Sequence, residues 1–234
     1  MKKITIILIL IFSISCTDVN KLVEEIAKDE MMESEHIGFI GAKSEQYQNF
    51  QKLKSKASDE ELRNLVSHKN PILRTYAYQS LIERELIKPS KAFKDAMQNN
   101  ESFPKMSADQ ILGTDICTQI YFEIRNYYPD SKNEIMQMDS LILYELDENH
   151  FLQYMALKDK KHKEKYNDRI RNLAIDFNNS SAIFYIVENN IEIDKSKFKE
   201  SIKTAIKNRG IGTEPIKELN KILVNLDDEN KKEN

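Results

Sequence analysis

The sequence predicts an all-α protein, an irregular stack of antiparallel helical hairpins, and three observations carry that reading. Five Gly and five Pro in 234 residues leave few turn formers for a sandwich or barrel and no glycine-rich phosphate loop. Apolar residues after position 44 recur at three- and four-residue spacing, the stripe of an amphipathic helix. Several of these runs open on a helix-capping signature. The hydrophobic content of 40% is enough for a packed core and excludes a disordered chain.

The chain opens with a basic head, Met1-Lys2-Lys3. A run from Ile4 to Phe12 follows, apolar except for Thr5, and then Ser13-Ile14-Ser15-Cys16. This is the layout of a secretory signal peptide, so residues 1–15 are expected to be removed on export. Nine helical residues span about 14 Å, roughly half a bilayer core, too little for a stable transmembrane anchor. A cysteine directly after small residues at the end of an apolar run resembles the lipobox of bacterial lipoproteins. That resemblance implies that the Cys16 thiol receives a diacylglycerol, the leader is cut before it, and the new amino terminus is acylated. Two or three acyl chains would hold the protein stably in a membrane. Ser13 stands where the lipobox usually has Leu, and Ser13-Ile14-Ser15 also reads as an ordinary signal-peptidase site, which would leave Cys16 unmodified on a secreted chain.

Loss of Lys2 and Lys3 takes the 35 basic residues to 33 against 38 acidic ones, a balance of −5. Residues 16–44 are expected to form the lipid-anchored N-terminal tether and a helix. Asp18, Glu24, Glu25, Asp29, Glu30, Glu33 and Glu35 outweigh Lys21 and Lys28 there, so this stretch keeps off anionic headgroups rather than clamping to them.

Residues 45–226 form the expected helical domain of about eight to ten helices. Its stripes include Tyr47, Phe50, Leu53; Leu62, Leu65, Val66; Leu73, Ala77, Leu81; Leu112, Ile116, Ile120, Ile124; Tyr166, Ile170, Leu173, Phe177; and Phe198, Ile202, Ala205. Ser58 with Glu61, Ser107 with Gln110 and Ser131 with Glu134 fit the capping box. Asn70-Pro71 places an N-cap before a proline at the first helical position. Breaks are expected near Pro89, Pro104, Pro129, Asn178-Asn179 and Gly210-Ile211-Gly212. The only alternating stretches are short, as in Asn190 to Asp194. Asp227 to Asn234 has no apolar residue and is expected to fray as a disordered polar tail.

Ser58 to Arg84 reads as a capped helix, a turn holding Asn-Pro and a second amphipathic helix with an early Arg74. It resembles one HEAT repeat, in which Pro71 starts the second helix and Arg74 braces the neighbouring turn. With Gly38, Gly41, Tyr47 and Phe50, the stretch Ile37 to Arg84 is similar to the opening of HEAT-like lipoproteins of Gram-negative bacteria. The resemblance implies an α-α superhelix type of architecture. It covers about a fifth of the chain, and Tyr166 to Asn190, of similar proportions, lacks both the Pro and the Arg.

No nucleophile elbow, zinc-protease helix, P-loop, Cys-x-x-Cys or calcium loop occurs. The expectation is a non-enzyme without cofactor or metal. The alternative is a metal-dependent envelope factor using Glu145, Asp147, Glu148 and His150, where Asp147 and His150 share a face on a continuous helix. His68, at a helix end, is expected to favour the C-terminal dipole. Cys117, among Ile116, Ile120 and Ile124, reads as a buried thiol. Residues 158–171 carry seven Lys/Arg, the solvated face of a helix whose buried side is Tyr166 and Ile170. The near-neutral charge gives no case for nucleic acid. Ten Tyr without Trp exceed the needs of a small core. Tyr76 and Tyr121 read as core, while Tyr78, Tyr127 and Tyr128 are candidates for a protein interface. Together these features point to an exported lipoprotein, moored at Cys16 and facing the periplasm or the cell surface. It would present a helical-repeat surface to an envelope or secreted protein.

Overall fold

A computed structural model describes residues 18–128, 130–146, 150–158, 164–207 and 214–232. The chain divides into two compact units, the first ending at Met138 and the second beginning at Asp139. The all-α expectation is overturned: twelve α-helices among the described residues are joined by a four-stranded mixed sheet, so the protein is an α/β one.

The first unit runs α1 (residues 18–27), β1 (Met32–Ile37), β2 (Ala42–Lys43), α2 (Glu45–Lys56), α3 (Asp59–Leu65), α4 (Pro71–Glu83), α5 (Pro89–Met97), β3 (Ser102–Ala108), β4 (Gln110–Asp115) and α6 (Ile116–Tyr127). The helix α7 (Lys132–Glu145) begins in it. The sheet order is β2-β1-β3-β4, with β1 parallel to β3 and both outer pairs antiparallel. Met32 lies opposite Lys105 and Ile37 opposite Ala108, with an irregularity between. Ser102 to Ser107 pair in regular register with Asp115 back to Gln110.

The strands escape a periodicity reading because alternation arises only when one sheet face is buried. Here Met32 and Phe103 alone are buried, and the other strand residues are half-buried or exposed without alternation. Ser107 and Gln110 close the β3–β4 turn, with Ala108 at φ 51°, instead of capping a helix. Pro104 sits inside β3, just before β1 begins to pair with it at Lys105, so the missing N–H falls outside the two-sided part of the strand. Leu112 belongs to β4, and the helix it was expected to open starts at Ile116, capped by Asp115.

Where the helical reading applies, the local chemistry is visible. Ser58 and Glu61 make a complete capping box on α3, and the Asn70 side chain accepts from the Ile72 and Leu73 amides before Pro71. The α3 and α4 helices pack as a hairpin. Arg74, buried on α4, donates to the His68 carbonyl of the connecting turn, to the Asn99 carbonyl and to Glu101 at 2.7 Å. The Glu134 carboxylate reaches away from its own helix and accepts from the Ser90 amide, which caps α5 where Lys88 supplies no side-chain bond.

A buried amide joins three segments. Gln46 accepts from the Glu33 amide at 2.7 Å and the Tyr76 hydroxyl at 2.9 Å, and it donates to the Met31 carbonyl and Asp29. Every donor and acceptor of this side chain is used, as burial requires. Tyr76 also stacks on Phe50, with ring centroids 4.0 Å apart. Helix α1 packs through Val19, Leu22 and Ile26. It runs antiparallel to α2, since Asp18 pairs with Lys56 at the far end of α2 while Gln46 takes up the chain that leaves α1.

The second unit is helical among its described residues: the remainder of α7, α8 (His150–Lys158), a short 3-10 turn at Glu164–Tyr166, α9 (Asn167–Ile175), α10 (Ser180–Glu188), α11 (Lys195–Lys207) and α12 (Glu214–Lys232). Leu152, Ile170, Leu173, Ile183, Ile202 and Leu219 form its core. Asn179 caps α10 through the Ala182 amide and donates to the buried Gln153, which in turn donates to the Leu146 carbonyl. Residues 191–194 are irregular rather than a strand. The polar end does not fray at Asp227: α12 continues to Lys232, in keeping with the good helix propensity of Glu and Lys. The Gly210–Gly212 break and Pro129 lie outside the described residues.

Candidate functional site

Two surfaces of the first unit depart from what folding alone demands. The first is the free end of the sheet. Gly38 and Gly41, at φ 72° and 66°, carry the chain from β1 to β2 through a turn that L side chains rarely adopt. Between them Phe39 and Ile40 are 95% and 89% exposed. The Gly38 amide donates to the Ala108 carbonyl at 2.7 Å, which brings the β3–β4 turn to the same end. Ile111 and Leu112 on the outer strand add two more large apolar side chains, 60% and 57% exposed. Single exposed apolar residues are ordinary, and Ile111 and Leu112, consecutive on β4, face opposite sides of the sheet; the adjacent pair Phe39 and Ile40 on one turn is what stands out as a candidate contact surface.

The second surface is where α4 meets α2 and α6. Gln79 and Glu83, four residues apart, reach the flanking helices: Glu83 pairs with Lys54 of α2 at 2.8 Å, and Gln79 donates to Glu123 of α6 at 3.4 Å. On α6, Gln119, Glu123 and Tyr127 form a stripe at four-residue spacing, each three residues on from the buried Ile116, Ile120 and Ile124 and so flanking that apolar stripe. Tyr47 lies on α2. From β3 the half-buried Lys105 donates to Gln119 at 2.8 Å, and Gln119 donates to Thr114. Burial raises the Glu123 carboxyl above the ordinary range, reinforced by Glu83 and opposed by Lys105 and Lys54. Burial likewise lowers Lys105, opposed by Glu123. Tyr47 is raised by burial and by Glu35, and Tyr128 by burial, Glu83 and Glu123. A half-buried acid and base, each destabilised in its charged form, are the kind of pair found where a protein engages a ligand.

The structure separates the three tyrosines expected at an interface. Tyr127 is 72% exposed and Tyr128 half-buried. Tyr78 is 6% exposed, its hydroxyl pushed up to about 12 by burial and by Asp95, so it serves the core and not a partner. Tyr76 and Tyr121 are buried, as is Cys117, whose thiol burial pushes far above its usual range. His68 accepts the Asn70 N–H on Nδ1 at 3.0 Å, and burial lowers its pKa. It therefore acts as a neutral acceptor rather than a cation at a helix end. Cys16, Asp147, Glu148 and the side chain of His150 lie outside the described residues; among the described ones no three His, Cys, Asp or Glu gather as a metal site.

Sequence reasoning passed over Phe39, Ile40, Lys105 and Glu123. Two signals were available: an apolar pair framed by glycines, and a polar stripe flanking the apolar stripe of α6. Comparison with protein-family models, with curated proteins and with solved structures finds no match. No helix among the described residues is long and apolar enough to cross a membrane.

Proposed function

We propose that this chain is an exported, membrane-anchored binding module that engages an envelope or secreted protein through the projecting end of its sheet. The observation that carries the reading is the pair Phe39 and Ile40, almost wholly exposed on a turn whose glycines hold it in shape. A soluble fold gains nothing from displaying them, and covering both by a partner recovers about 2 kcal/mol or more of burial each. The helical-repeat version of the reading is withdrawn along with the all-α fold; the contact surface is the sheet end.

The leader and Cys16 support anchoring. Asp18, at the start of the described residues, pairs with Lys56 at the C-terminal end of α2. The sheet leaves from the N-terminal end of α2, about 18 Å away along the helix.

Labelling with a fatty-acid analogue tests the anchor: wild type is expected to take up label and fractionate with membranes, Cys16→Ala to lose both. Unlabelled wild type would overturn the anchor. Separately, Phe39→Ser/Ile40→Ser is expected to abolish cross-linking to a discrete envelope protein. Unchanged cross-linking would overturn the sheet-end reading.

A further inference from the structure

We propose that β4, the outer strand of the sheet, pairs antiparallel with β4 of a second copy of this chain, joining the two sheets into one across a two-fold axis. This stands apart from the sheet-end reading: β4 forms the edge opposite to β2, and the turn that leads into β2 carries Phe39 and Ile40.

Which backbone groups face out of β4 follows from the hairpin. Ser107 and Gln110 flank a two-residue turn, so they exchange both backbone hydrogen bonds, and the pairs alternate from there. Met106–Ile111 is open, Lys105–Leu112 is bonded, and Pro104–Gly113 is open. Pro104, with no N–H to give, stands at an open pair as the alternation requires. The N–H and C=O groups of Ile111 and Gly113 therefore point away from β3, and β4 is the last strand of the sheet. Gln110 to Gly113 are exposed, and the space where a Cβ of Gly113 would stand is open to 4 Å. The devices that blunt an edge are missing: over six residues β4 has no Pro, no Lys and no bulge, whereas the other edge, β2, is two residues long.

The strand selects its own copy. Gln110 to Thr114 carry no charge, and a self-complementary interface needs that, because it sets a patch against itself and any charge near the axis meets its like. A strand serving another protein has no such restriction. Side-chain shape fixes the register. With Ile111 exchanging hydrogen bonds with Gly113 of the second copy, the two Leu112 side chains meet at the axis on one face. On the other face each Ile111 covers the open Gly113 opposite. The side chains left 60% and 57% exposed in one chain are thereby both paired. Placing Gly113 on the axis instead would set Ile111 against Asp115. The preferred register has one cost, Asp109 opposite Asp115 of the second copy at each end.

Sedimentation velocity tests this on the full mature chain carrying Cys16→Ala, which leaves the buried Cys117 as its one thiol. A reversible monomer–dimer equilibrium is expected in the micromolar range. Leu112→Lys should weaken the dimer at least about tenfold. Gly113→Pro should do the same, since it removes an outward N–H and no bond of the hairpin. Asp109→Asn should tighten it. Two added cysteines read the register. Directly facing Cα atoms of an open pair lie about 4.5 Å apart, so Leu112→Cys should form an intermolecular disulfide in oxidised glutathione. Gln110→Cys, about 13 Å from its own copy in this register, should not. Each variant is expected to keep the parent's circular dichroism spectrum; should Gly113→Pro alter it, the cysteine pair decides. A monomer at every concentration, a dimer weakened by neither Leu112→Lys nor Gly113→Pro, or one weakened by Leu112→Lys alone would overturn the proposal. So would an Asp109→Asn chain that pairs no tighter, or cross-linking of Gln110→Cys equal to that of Leu112→Cys.

Discussion

The two units solve the same packing problem with different materials. In the second, the described core is mostly aliphatic with Tyr166, Tyr185 and Phe198 among it, and its buried polar residues are Asp139 at the unit's start and the neutral Gln153, Asn179, Ser180, Ser181 and Ser201. Two of its four exposed aromatics lie under a cation, Tyr154 under Lys158 and Phe177 under Arg169, while Tyr144 and Phe151 are about half exposed. The first unit draws charge inward at Arg74, Lys105 and Glu123 and leaves Phe39 and Ile40 bare. Each unit has one buried side-chain atom without a hydrogen-bond partner among the described residues, the Nε of Arg74 in the first and the Oδ1 of Asn167 in the second. The inward charges and the bare pair of the first unit lower stability, and a fold keeps such features where they serve binding. The difference is what the proposal rests on when it assigns recognition to the first unit.

The largest effect that would sharpen this contrast is at Gln46. Gln46→Leu leaves the Glu33 amide, the Met31 carbonyl and the Tyr76 hydroxyl without their partner, and should cost about 3 kcal/mol in chemical denaturation. A loss under about 1 kcal/mol would mean that the hub is not what joins β1, α2 and α4. In the second unit, Asn179→Ala removes the cap of α10 and the donor to Gln153. It should cost about 2 kcal/mol, measured the same way.

A third substitution should act in the opposite direction. Burial lifts the Glu123 pKa above its unfolded value. The folded state therefore holds that proton more tightly, a stabilisation fully present below the unfolded pKa and lost as pH rises through the folded one. At neutrality the ionised group is a cost, so Glu123→Gln should raise the melting temperature there, and the gain should vanish in acid. A lower melting temperature at neutral pH would make Glu123 a structural residue. Smallest of all, Phe39→Ser/Ile40→Ser should change stability by no more than about 0.5 kcal/mol, since neither side chain is packed. A larger loss would show that the tip belongs to the fold.

What could be read from the chain alone followed burial. The Ser58–Glu61 box, the Asn70-Pro71 start and the Ile116, Ile120, Ile124 stripe are local chemistry or one-sided packing, and each leaves a periodic mark. The sheet left none, because Glu35, His36, Gln110 and Ile111 are exposed and no face alternates. Its parallel β1–β3 pairing joins residues some seventy positions apart, which no local pattern encodes. Tyr78 was misplaced for a related reason: with Ile72 to Tyr78 buried throughout, α4 has no solvent face at that point, and a tyrosine there cannot be told from a rim residue by spacing. Glu123 and Lys105 come together only because α6 and β3 do.

The central claim, that recognition belongs to the sheet end of the first unit, is tested most directly by a photoreactive amino acid placed at Phe39 and, as a control, at Val224, which is 57% exposed in the second unit. Irradiation of intact cells is expected to give a discrete protein adduct from position 39 and none from position 224. Equal adducts from both, or none from position 39, would contradict the account.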